Sequence, residues 1–237
     1  MKKFSCVLSL VVFVAGFSIL TLDVRAQGDK EKNIKSAAKT ADNASKALNE
    51  VMAVPDNAIP DSLLRKAKAI AVFPGVVKAA FGIGGSGGKG LVTRRIKSGW
   101  SAPAVFKLAS GSVGFQIGAS ATDIVMLFMT EDSLKNLLAD KFEIGGEASA
   151  AAGPVGRTAQ ASTDAQMKAQ ILSYSRSRGL FAGISLTGAV INPDNNVNQS
   201  LYMLDAKDIL IGVNKVAIAD IPAATKGFHQ TVTTQAK

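Results

Sequence analysis

Residues 81–118, FGIGGSGGKGLVTRRIKSGWSAPAVFKLASGSVGFQIG, decide the fold of this chain, and ten of them are glycine. Between the glycines lie short runs of strand-forming residues: Leu91–Thr93, Ala104–Phe106 and Val113–Ile117. A helix would lose about 1 kcal/mol for each glycine relative to alanine. A strand that contains glycine can instead bend, bulge or let another backbone approach closely. The stretch therefore predicts a strongly curved antiparallel sheet.

Two phosphate-binding motifs are partly matched in the same stretch. Gly82, Gly84 and Gly87 have the spacing of the dinucleotide motif, but the sequence that follows is not helical and has no acidic residue at the required distance. Gly88-Lys89 is similar to the end of a phosphate-binding loop, but glycine follows where Ser or Thr is required. Glycine for sheet curvature explains the pattern better than a nucleotide site.

A series of motifs begins in this stretch and continues well beyond it. Its members are Phe81-x-Ile83-Gly84-Gly85, Gly88-x-Gly90, Gly99-Trp100-Ser101-x-Pro103, Gly114-x-Gln116-x-Gly118, Asp123-x-Val125, Gly153-Pro154-x-Gly156, Ser173-Tyr174-Ser175 and Gly179-Leu180-Phe181-Ala182-Gly183. The series resembles the SYLF domain, a lipid-binding family, over roughly residues 58–202. The resemblance implies a lipid-binding role without enzymatic activity. Eukaryotic members are associated with phosphoinositides and actin.

The composition fits one folded domain with tails. The chain has 237 residues, 47% of them apolar, and a formal net charge of +9, which favours anionic partners. Its one cysteine, Cys6, lies in the N-terminal apolar segment, and its one histidine, His229, lies in a polar C-terminal stretch that looks like a solvated, disordered tail over Lys226–Lys237. Thiolate or histidine metal sites and histidine-based catalysis are therefore not expected, and neither a metal nor a cofactor is predicted.

The N-terminus has the pattern of a secretory signal peptide. Met1-Lys2-Lys3 precedes an apolar run over Cys6–Leu22, and Val24-Arg25-Ala26 offers small residues to a signal peptidase. We expect cleavage after Ala26 and a periplasmic or secreted protein that associates peripherally with membranes; an uncleaved anchor is the alternative. Export disfavours nucleic acid as the anionic partner. The signal peptide also departs from the cytosolic eukaryotic relatives, so their phosphoinositide and actin ligands are not carried over.

Residues 27–57 form a predicted amphipathic helical segment, interrupted at Pro55. Its apolar stripe recurs at helical spacing but consists mostly of alanine, so packing on the domain is favoured over lying on anionic lipid. A shorter helix is expected from Asp61.

The lipid-binding domain is placed at residues 58–213 and a C-terminal tail at 214–237. Further predictions are a strand Ala69–Phe73 closed by a Pro74-Gly75 turn, a buried strand Ser120–Met129, a helix capped by Thr130, a strand Lys141–Ala152, a hairpin of Ala169–Arg176 with Leu180–Ile191, a loop over Asn192–Asn196, and a short helix Val197–Met203.

Acidic residues offer little support for catalysis. Asp123 is expected to close a turn or to bind a buried amide, with a ligand role as the less favoured alternative. Glu143 and Glu147 would share one face of a strand, but nothing in the sequence gives either an apolar setting, so we interpret them as surface acids. A hydrolase that uses these acids, Ser101 or Ser120 is the least favoured hypothesis.

The candidate lipid-binding residues surround the glycine-rich centre. Arginine can bind phosphate bidentately and lysine acts as a mobile point charge. Arg94 and Arg95 are adjacent, so in a strand they would point to opposite faces. Trp100 could lie at a membrane interface or anchor the core, and the core is favoured. The predicted contacts are Lys89, Arg94, Arg95, Lys97, Trp100 and Lys107, with Lys78 as a further basic candidate.

The sequence thus predicts an α+β fold: a curved antiparallel sheet, open or closed into a barrel, with N-terminal helices and one inserted helix packed on it. The favoured function is non-enzymatic binding of anionic phospholipid or a membrane surface in a bacterial envelope. The alternative is a structural or interaction module that binds an acidic envelope partner protein or polymer.

Overall fold

The computed structural model describes the backbone of residues 4–53, 58–81, 83–113, 118–139, 141–155, 168–177, 180–184, 186–212 and 216–237, and the side chains of these ranges except 4–26, 79–84, 112–120 and 180–181. Three predicted features lie partly or wholly outside the described residues: the end of the strand Val113–Ile117, the connection of the hairpin between Arg176 and Leu180, and the break at Pro55. Within the part searched, no helix has both the length and the hydropathy to cross a membrane.

Helices flank a long run of strands in the chain. The helices are α1 (Phe4–Met52), α2 (Asp61–Lys66), α3 (Glu131–Leu137), α4 (Asn195–Tyr202), α5 (Ala206–Ile211) and α6 (Ala223–Gln235), with a 3₁₀ turn at Ile218–Asp220. The strands are β1 (Ala69–Phe81), β2 (Ile83–Ile96), β3 (Gly99–Trp100), β4 (Ala104–Val113), β5 (Gly118–Phe128), β6 (Phe142–Glu143), β7 (Ala150–Ala152), β8 (Ile171–Ser177), β9 (Leu180–Gly183) and β10 (Val190–Pro193).

The strands form one curved sheet in the order β6-β10-β4-β2-β1-β5-β8-β7, with β3 paired to β2 and β9 paired to β8. All described pairings within it are antiparallel except β7 with β8. The sheet is a half-barrel, so the open form of the two predicted arrangements is the correct one. The predicted α+β class, the N-terminal helices and the inserted helix α3, capped by the Thr130 side chain, are confirmed.

Strand β1 continues through the residues that were predicted to end it. The turn at Pro74-Gly75 is instead a bulge, where the register shifts between Phe73 and Val76 against β5, and Gly75 has a φ of +57°. The carboxylate of Asp123 on β5 accepts a hydrogen bond from the backbone amide of Gly75 at 2.8 Å. Asp123 therefore binds an amide, as predicted, but the amide belongs to the exposed Gly75 of this bulge and is not a buried one.

Glycines of β2 make room for the bulge of β1. A Cβ on Gly90 would lie 2.4 Å from the carbonyl oxygen of Val72 and 2.5 Å from the ring of Phe73. A Cβ on Gly88 would lie 3.1 Å from the side chain of Val76. The glycine-rich sequence is needed here because two backbones approach closely at the bend of the sheet.

Both faces of the sheet are covered, because alternate residues of each central strand point to opposite sides. On one face, Phe73, Phe106 and Phe128 pack with residues of α3 and α5. On the other face, Ile70, Leu91 and Tyr174 pack with residues of α1, α2 and α6. The domain therefore has two apolar layers separated by one sheet.

The C-terminal residues are ordered, so the predicted disordered tail is wrong. Helix α6 buries Phe228, His229 and Val232 against the sheet, and Nε2 of His229 lies 3.0 Å from the carbonyl oxygen of Trp100. Gln235 donates from Nε2 to Oδ1 of Asn49 on α1 at 2.8 Å. The C-terminal helix is thus part of the domain.

Helix α1 packs on the domain, as its alanine-rich apolar stripe predicted. Ala41, Ala44, Leu48 and Val51 are buried against the second face of the sheet. Arg176 of β8 pairs with Glu50 of α1 and lies 3.4 Å from Asp123. The helix backbone is continuous from Phe4, within the predicted signal peptide, to Met52.

Two predicted long strands are each divided in the structure. Lys141–Ala152 contains β6 and β7, separated by a turn at Gly145, whose φ is +87°. Leu180–Ile191 contains β9, which pairs with β8, and β10, which pairs with β4 on the far side of the sheet. The predicted loop Asn192–Asn196 is wrong at both ends, because β10 runs to Pro193 and α4 begins at Asn195.

Candidate functional site

The six predicted binding residues divide into three pairs with different surroundings. Lys89 and Lys107 lie opposite each other on β2 and β4, and each ammonium is 2.9 Å from a carboxylate oxygen of Asp194. The side chain of Asp194 is only 2% exposed, whereas those of Lys89 and Lys107 are 38% and 50% exposed. This pair of lysines is therefore partly neutralised by an acid of the same chain.

Asp194 joins the sheet to α4 as well as binding the two lysines. Its backbone amide donates to the carbonyl of Val105 at 2.9 Å, and the side chain of Asn198 bonds both backbone groups of Val105. Burial raises the pKa of Asp194, but the hydrogen bonds and charges of Lys107 and Lys89 outweigh that effect, so its pKa lies below the ordinary value. Sequence reasoning missed Asp194, although an Asp immediately before a helix is a known capping signal.

The pKa of Asp194 predicts a stability difference that depends on pH. Above the unfolded pKa of about 3.9, the lowered folded pKa contributes stability, which is lost as the pH falls through the folded pKa. We expect Asp194→Asn to lower the free energy of unfolding by about 1–2 kcal/mol at neutral pH. The deficit should shrink below about pH 4, as measured by chemical denaturation.

Asp132→Asn is the control for that experiment, because Asp132 is 76% exposed and pairs only with the equally exposed Lys135 among the described residues. It should lower the stability by less than Asp194→Asn does, because Asp132 contributes only an exposed ion pair and a charge in the first turn of α3, worth about 0.3–1 kcal/mol. A deficit of Asp194→Asn that stays constant into the acid range would contradict the proposed ion-pair cluster.

Arg95 and Trp100 make contacts that join the sheet to α2 and to the C-terminal residues. Arg95 donates to the carbonyls of Ala67, Leu64 and Ala236 at 3.1, 2.9 and 3.1 Å. Its guanidinium carbon lies 4.3 Å from the ring centroid of Trp100, which is 2% exposed. The core position favoured for Trp100 is confirmed. Lipid contact by Arg95 and Trp100 stays a prediction, which the burial of Trp100 and the three carbonyl partners of the half-buried Arg95 do not favour.

Arg94 and Lys97 line one pocket on the opposite face of the sheet. The backbone amide of Arg94 donates to Oγ of Ser101 at 3.0 Å, and Thr93 donates from Oγ1 to the carbonyl of Ser101 at 2.7 Å, so the β2–β3 hairpin is fixed at its base. Arg94 and Arg95 therefore point to opposite sides, as predicted. The pocket has a volume of about 320 Å³, and its other walls are Ile96, Ser98, Ser101, Ile209, Leu210, Ile211, Gly212 and Val216.

The pocket is cationic on one wall and apolar on the other. Arg94 and Lys97 supply two positive charges, and none of the described residues that line the pocket is acidic. Outside the lining, Glu131 at the start of α3 lies 3.8 Å from the guanidinium of Arg94, and its side chain is 51% exposed. Ile96, beside Lys97 at the hairpin tip, is 36% exposed. This arrangement can bind an anionic group that carries an apolar neighbour.

The remaining candidates do not join this pocket. Glu143 and Glu147 are exposed, as expected for surface acids, and Lys78 is exposed on β1. Ser101 is 6% exposed and donates to the carbonyl of Ala102. Sequence reasoning missed the apolar wall of the pocket, since nothing in residues 209–216 indicates that α5 lies beside the β2–β3 hairpin.

Comparison with known proteins gives a consistent set of relatives. The family model Ysc84, described as "Las17-binding protein actin regulator", matches residues 109–235. SH3 domain-containing YSC84-like protein 1 of Rattus norvegicus is 35% identical over 186 residues, which are 76% of this chain and 54% of the rat protein. Protein YSC84 of Saccharomyces cerevisiae is 33% identical over 200 residues, covering 81% of this chain and 42% of the yeast protein.

LAS seventeen-binding protein 3 of the same yeast is 36% identical over 163 residues, which are 66% of this chain and 35% of that protein. The chain spans about half the length of the curated relatives it matches, or less. The family description names a binding and regulatory protein, and LAS seventeen-binding protein 3 is named for binding.

Proposed function

The chain belongs to the Ysc84 family, whose shared region is the SYLF domain, and we propose that it is a non-enzymatic protein that binds anionic phospholipid at a membrane surface. The observation that carries the proposal is the pocket of Arg94 and Lys97, because it combines two cations with an apolar wall and an exposed isoleucine at the tip of a hairpin. A lipid headgroup offers the matching anion, and the membrane region below the headgroups accepts an apolar side chain such as that of Ile96.

The proposal uses only part of the basic surface that the sequence suggested. Lys89 and Lys107 already have an acidic partner, and Arg95 is occupied by three carbonyls and a tryptophan ring. Of the five cations among the predicted contacts, Arg94 has only the half-exposed Glu131 at 3.8 Å, and Lys97 has no ion pair with another described residue. The proposal therefore places membrane contact at the β2–β3 hairpin.

Neutralising these two residues is expected to weaken membrane binding. A cation near an anionic surface contributes about 1 kcal/mol, so Arg94→Gln with Lys97→Gln should weaken binding roughly 30-fold if both terms are lost. The measurement is sedimentation with vesicles that contain phosphatidylglycerol, repeated at rising salt, where the wild-type protein should lose affinity.

Lys141→Gln with Lys226→Gln is the matched control, since it removes the same charge from exposed positions outside the pocket. The control variant should lose only a few-fold in vesicle affinity, because charges distant from the membrane attract it only weakly through the salt. Equal losses in the two double variants would mean that net charge alone drives binding, and an unchanged Arg94/Lys97 variant would remove the hairpin from the interface.

We also propose that the protein is periplasmic or secreted, with residues 1–26 removed as a signal peptide. The basic start, the apolar run and the small residues before Gln27 support this proposal. The intact mass of the protein purified from the envelope fraction of its source tests it. A mass that begins at Gln27 is expected, and a mass that includes residues 1–26 contradicts the cleavage.

A protein partner is the second candidate function, because LAS seventeen-binding protein 3 is named for binding another protein and the family model carries a similar description. An acidic protein or polymer could use the same cationic pocket. This candidate predicts no vesicle binding by the wild-type chain at any salt concentration, which is the opposite of the lipid proposal.

A further inference from the structure

We infer that the pocket between the β2–β3 hairpin and α5 selects a phosphate monoester over a phosphate diester. This inference deepens the proposed function and rests on it for the lipid form of the ligand. The shared chemistry is a terminal phosphate with two ionisable oxygens, carried by a lipid such as phosphatidic acid or by a small soluble molecule. Size, charge and the state of Arg94 each support it.

The size of the pocket suits a headgroup and excludes a lipid that is taken up whole. A volume of about 320 Å³ is near the lower end of the range of small-molecule sites, roughly 300–1,000 Å³. A phosphate with the first carbons of its ester fits that space, with Ile209, Leu210 and Val216 beside the carbons. The acyl chains would then stay in the bilayer.

The charge of the pocket suits a dianion. Arg94 and Lys97 place two positive charges on one wall, and no acid stands among the described lining residues. A phosphate monoester carries a charge of about −1.5 to −2 at pH 7, whereas a diester carries about −1 because it has a single ionisable oxygen. The monoester therefore neutralises both cations, and Ser98 at the tip can add a hydroxyl donor.

Arg94 has hydrogen-bonding capacity that the protein leaves unused. Within the described residues, its Nε is buried without a hydrogen-bond partner, and its NH2 group is 3.8 Å from Glu131, beyond hydrogen-bond distance. A buried donor without an acceptor costs about 1–3 kcal/mol. A small reorientation of the guanidinium toward a phosphate would give it the acceptors that it lacks and the bidentate geometry that arginine favours.

The same sheet contains a second pair of cations, Lys89 and Lys107, which the protein pairs with a buried acid of its own. Lys89 and Lys107 come from two strands and meet the buried carboxylate of Asp194 at 2.9 Å each. Arg94 and Lys97 have no equivalent buried acid among the described residues of their pocket. We interpret the missing acid as the place of an external anion.

The test compares lipids and a soluble probe on the full chain. Vesicles with phosphatidic acid and vesicles with phosphatidylglycerol are matched in surface charge, and glycerol 3-phosphate is titrated by calorimetry. We expect phosphatidic acid vesicles to bind about tenfold more tightly, glycerol 3-phosphate to compete, and the preference to fall below about pH 6, where the monoester loses its second charge.

A pocket variant separates this selectivity from general attraction. Ser98→Glu places a carboxylate at an exposed turn beside Arg94 and Lys97, so it should remove the preference for phosphatidic acid without unfolding the protein. Ser98→Gln has nearly the same shape without the charge and should keep the preference. Circular dichroism and a thermal melt check the fold of both variants.

The outcomes separate the monoester inference from the proposed lipid-binding function. The monoester inference is overturned, while lipid binding stands, if the wild-type protein binds both vesicle types equally and Ser98→Glu leaves the ratio of the two affinities unchanged. If neither vesicle binds but glycerol 3-phosphate does, and Ser98→Glu abolishes that binding, the lipid proposal fails and the pocket serves a soluble phosphate monoester. If no probe binds, both are overturned.

Discussion

Replacing Arg95 by methionine is expected to destabilise the domain by about 3 kcal/mol or more. The guanidinium donates to the carbonyls of Leu64, Ala67 and Ala236, and it lies over the ring of Trp100. Methionine keeps much of the apolar contact but removes all three hydrogen bonds. The carbonyl of Ala67 loses the donor that Arg95 supplied, whereas Ala236 keeps its bond from Trp100 and Leu64 its bond from the amide of Ala67. Chemical denaturation measures the loss.

Arg65→Met is the matched control, because Arg65 is exposed on α2. It should change the free energy of unfolding by less than about 0.5 kcal/mol. If Arg95→Met were as stable as this control and instead lost vesicle binding, Arg95 would be the lipid contact that the sequence suggested, and its structural role would be wrong.

Gly90→Ala is expected to destabilise the domain by about 3 kcal/mol. The new methyl group would lie 2.4 Å from the carbonyl oxygen of Val72 and 2.5 Å from the ring of Phe73, and a backbone oxygen of a central strand cannot move away without disturbing the bulge. A thermal melt followed by circular dichroism should show a large fall in the midpoint.

Gly87→Ala controls for the loss of glycine in the same strand. Its nearest atom is the carbonyl oxygen of Leu108 at 3.6 Å, which is ordinary contact, and the position is exposed. Alanine should be neutral or slightly stabilising there. Equal effects of the two substitutions would show that close approach at the bulge is not the reason for glycine at position 90.

The curvature of the sheet was predictable because glycine weakens a strand and therefore usually marks a bend, a bulge or the close approach of another backbone. Sequence reasoning also found α3, since Thr130 and the following acids form a local capping signal. It placed the end of β1 wrongly because Pro74-Gly75 has the composition of a turn, while the bulge is maintained by Asp123, a residue 48 positions away. Local composition cannot reveal that partner.

The C-terminal helix was missed although its spacing carried a signal. Its buried residues Thr225, Phe228, His229 and Val232 recur at three- and four-residue intervals, which is helical periodicity. Thr and His hide the pattern because they count as polar, and Gly227 lowers the helix propensity. The helix is stabilised instead by packing on α1 and by the bonds from Arg95, Trp100 and His229.

The candidate site was only partly predictable for a related reason. The cations around the glycine-rich centre were visible, and alternation along β2 correctly separated Arg94 from Arg95. Which cations lack an acid depends on Asp194 and Glu131, both distant in sequence from the positions that they approach. The apolar wall from α5 likewise arises only when the chain folds.

The most direct test of the proposed membrane contact is to locate it on the protein. The full chain, labelled with nitrogen-15, is mixed with anionic bicelles that contain a spin-labelled lipid, and the broadening of each backbone amide signal is measured. We predict the strongest broadening at Ile96, Lys97, Ser98 and Gly99 in the β2–β3 hairpin. Strong broadening confined to α1 or to other regions, with these four amides unaffected, would contradict the proposal.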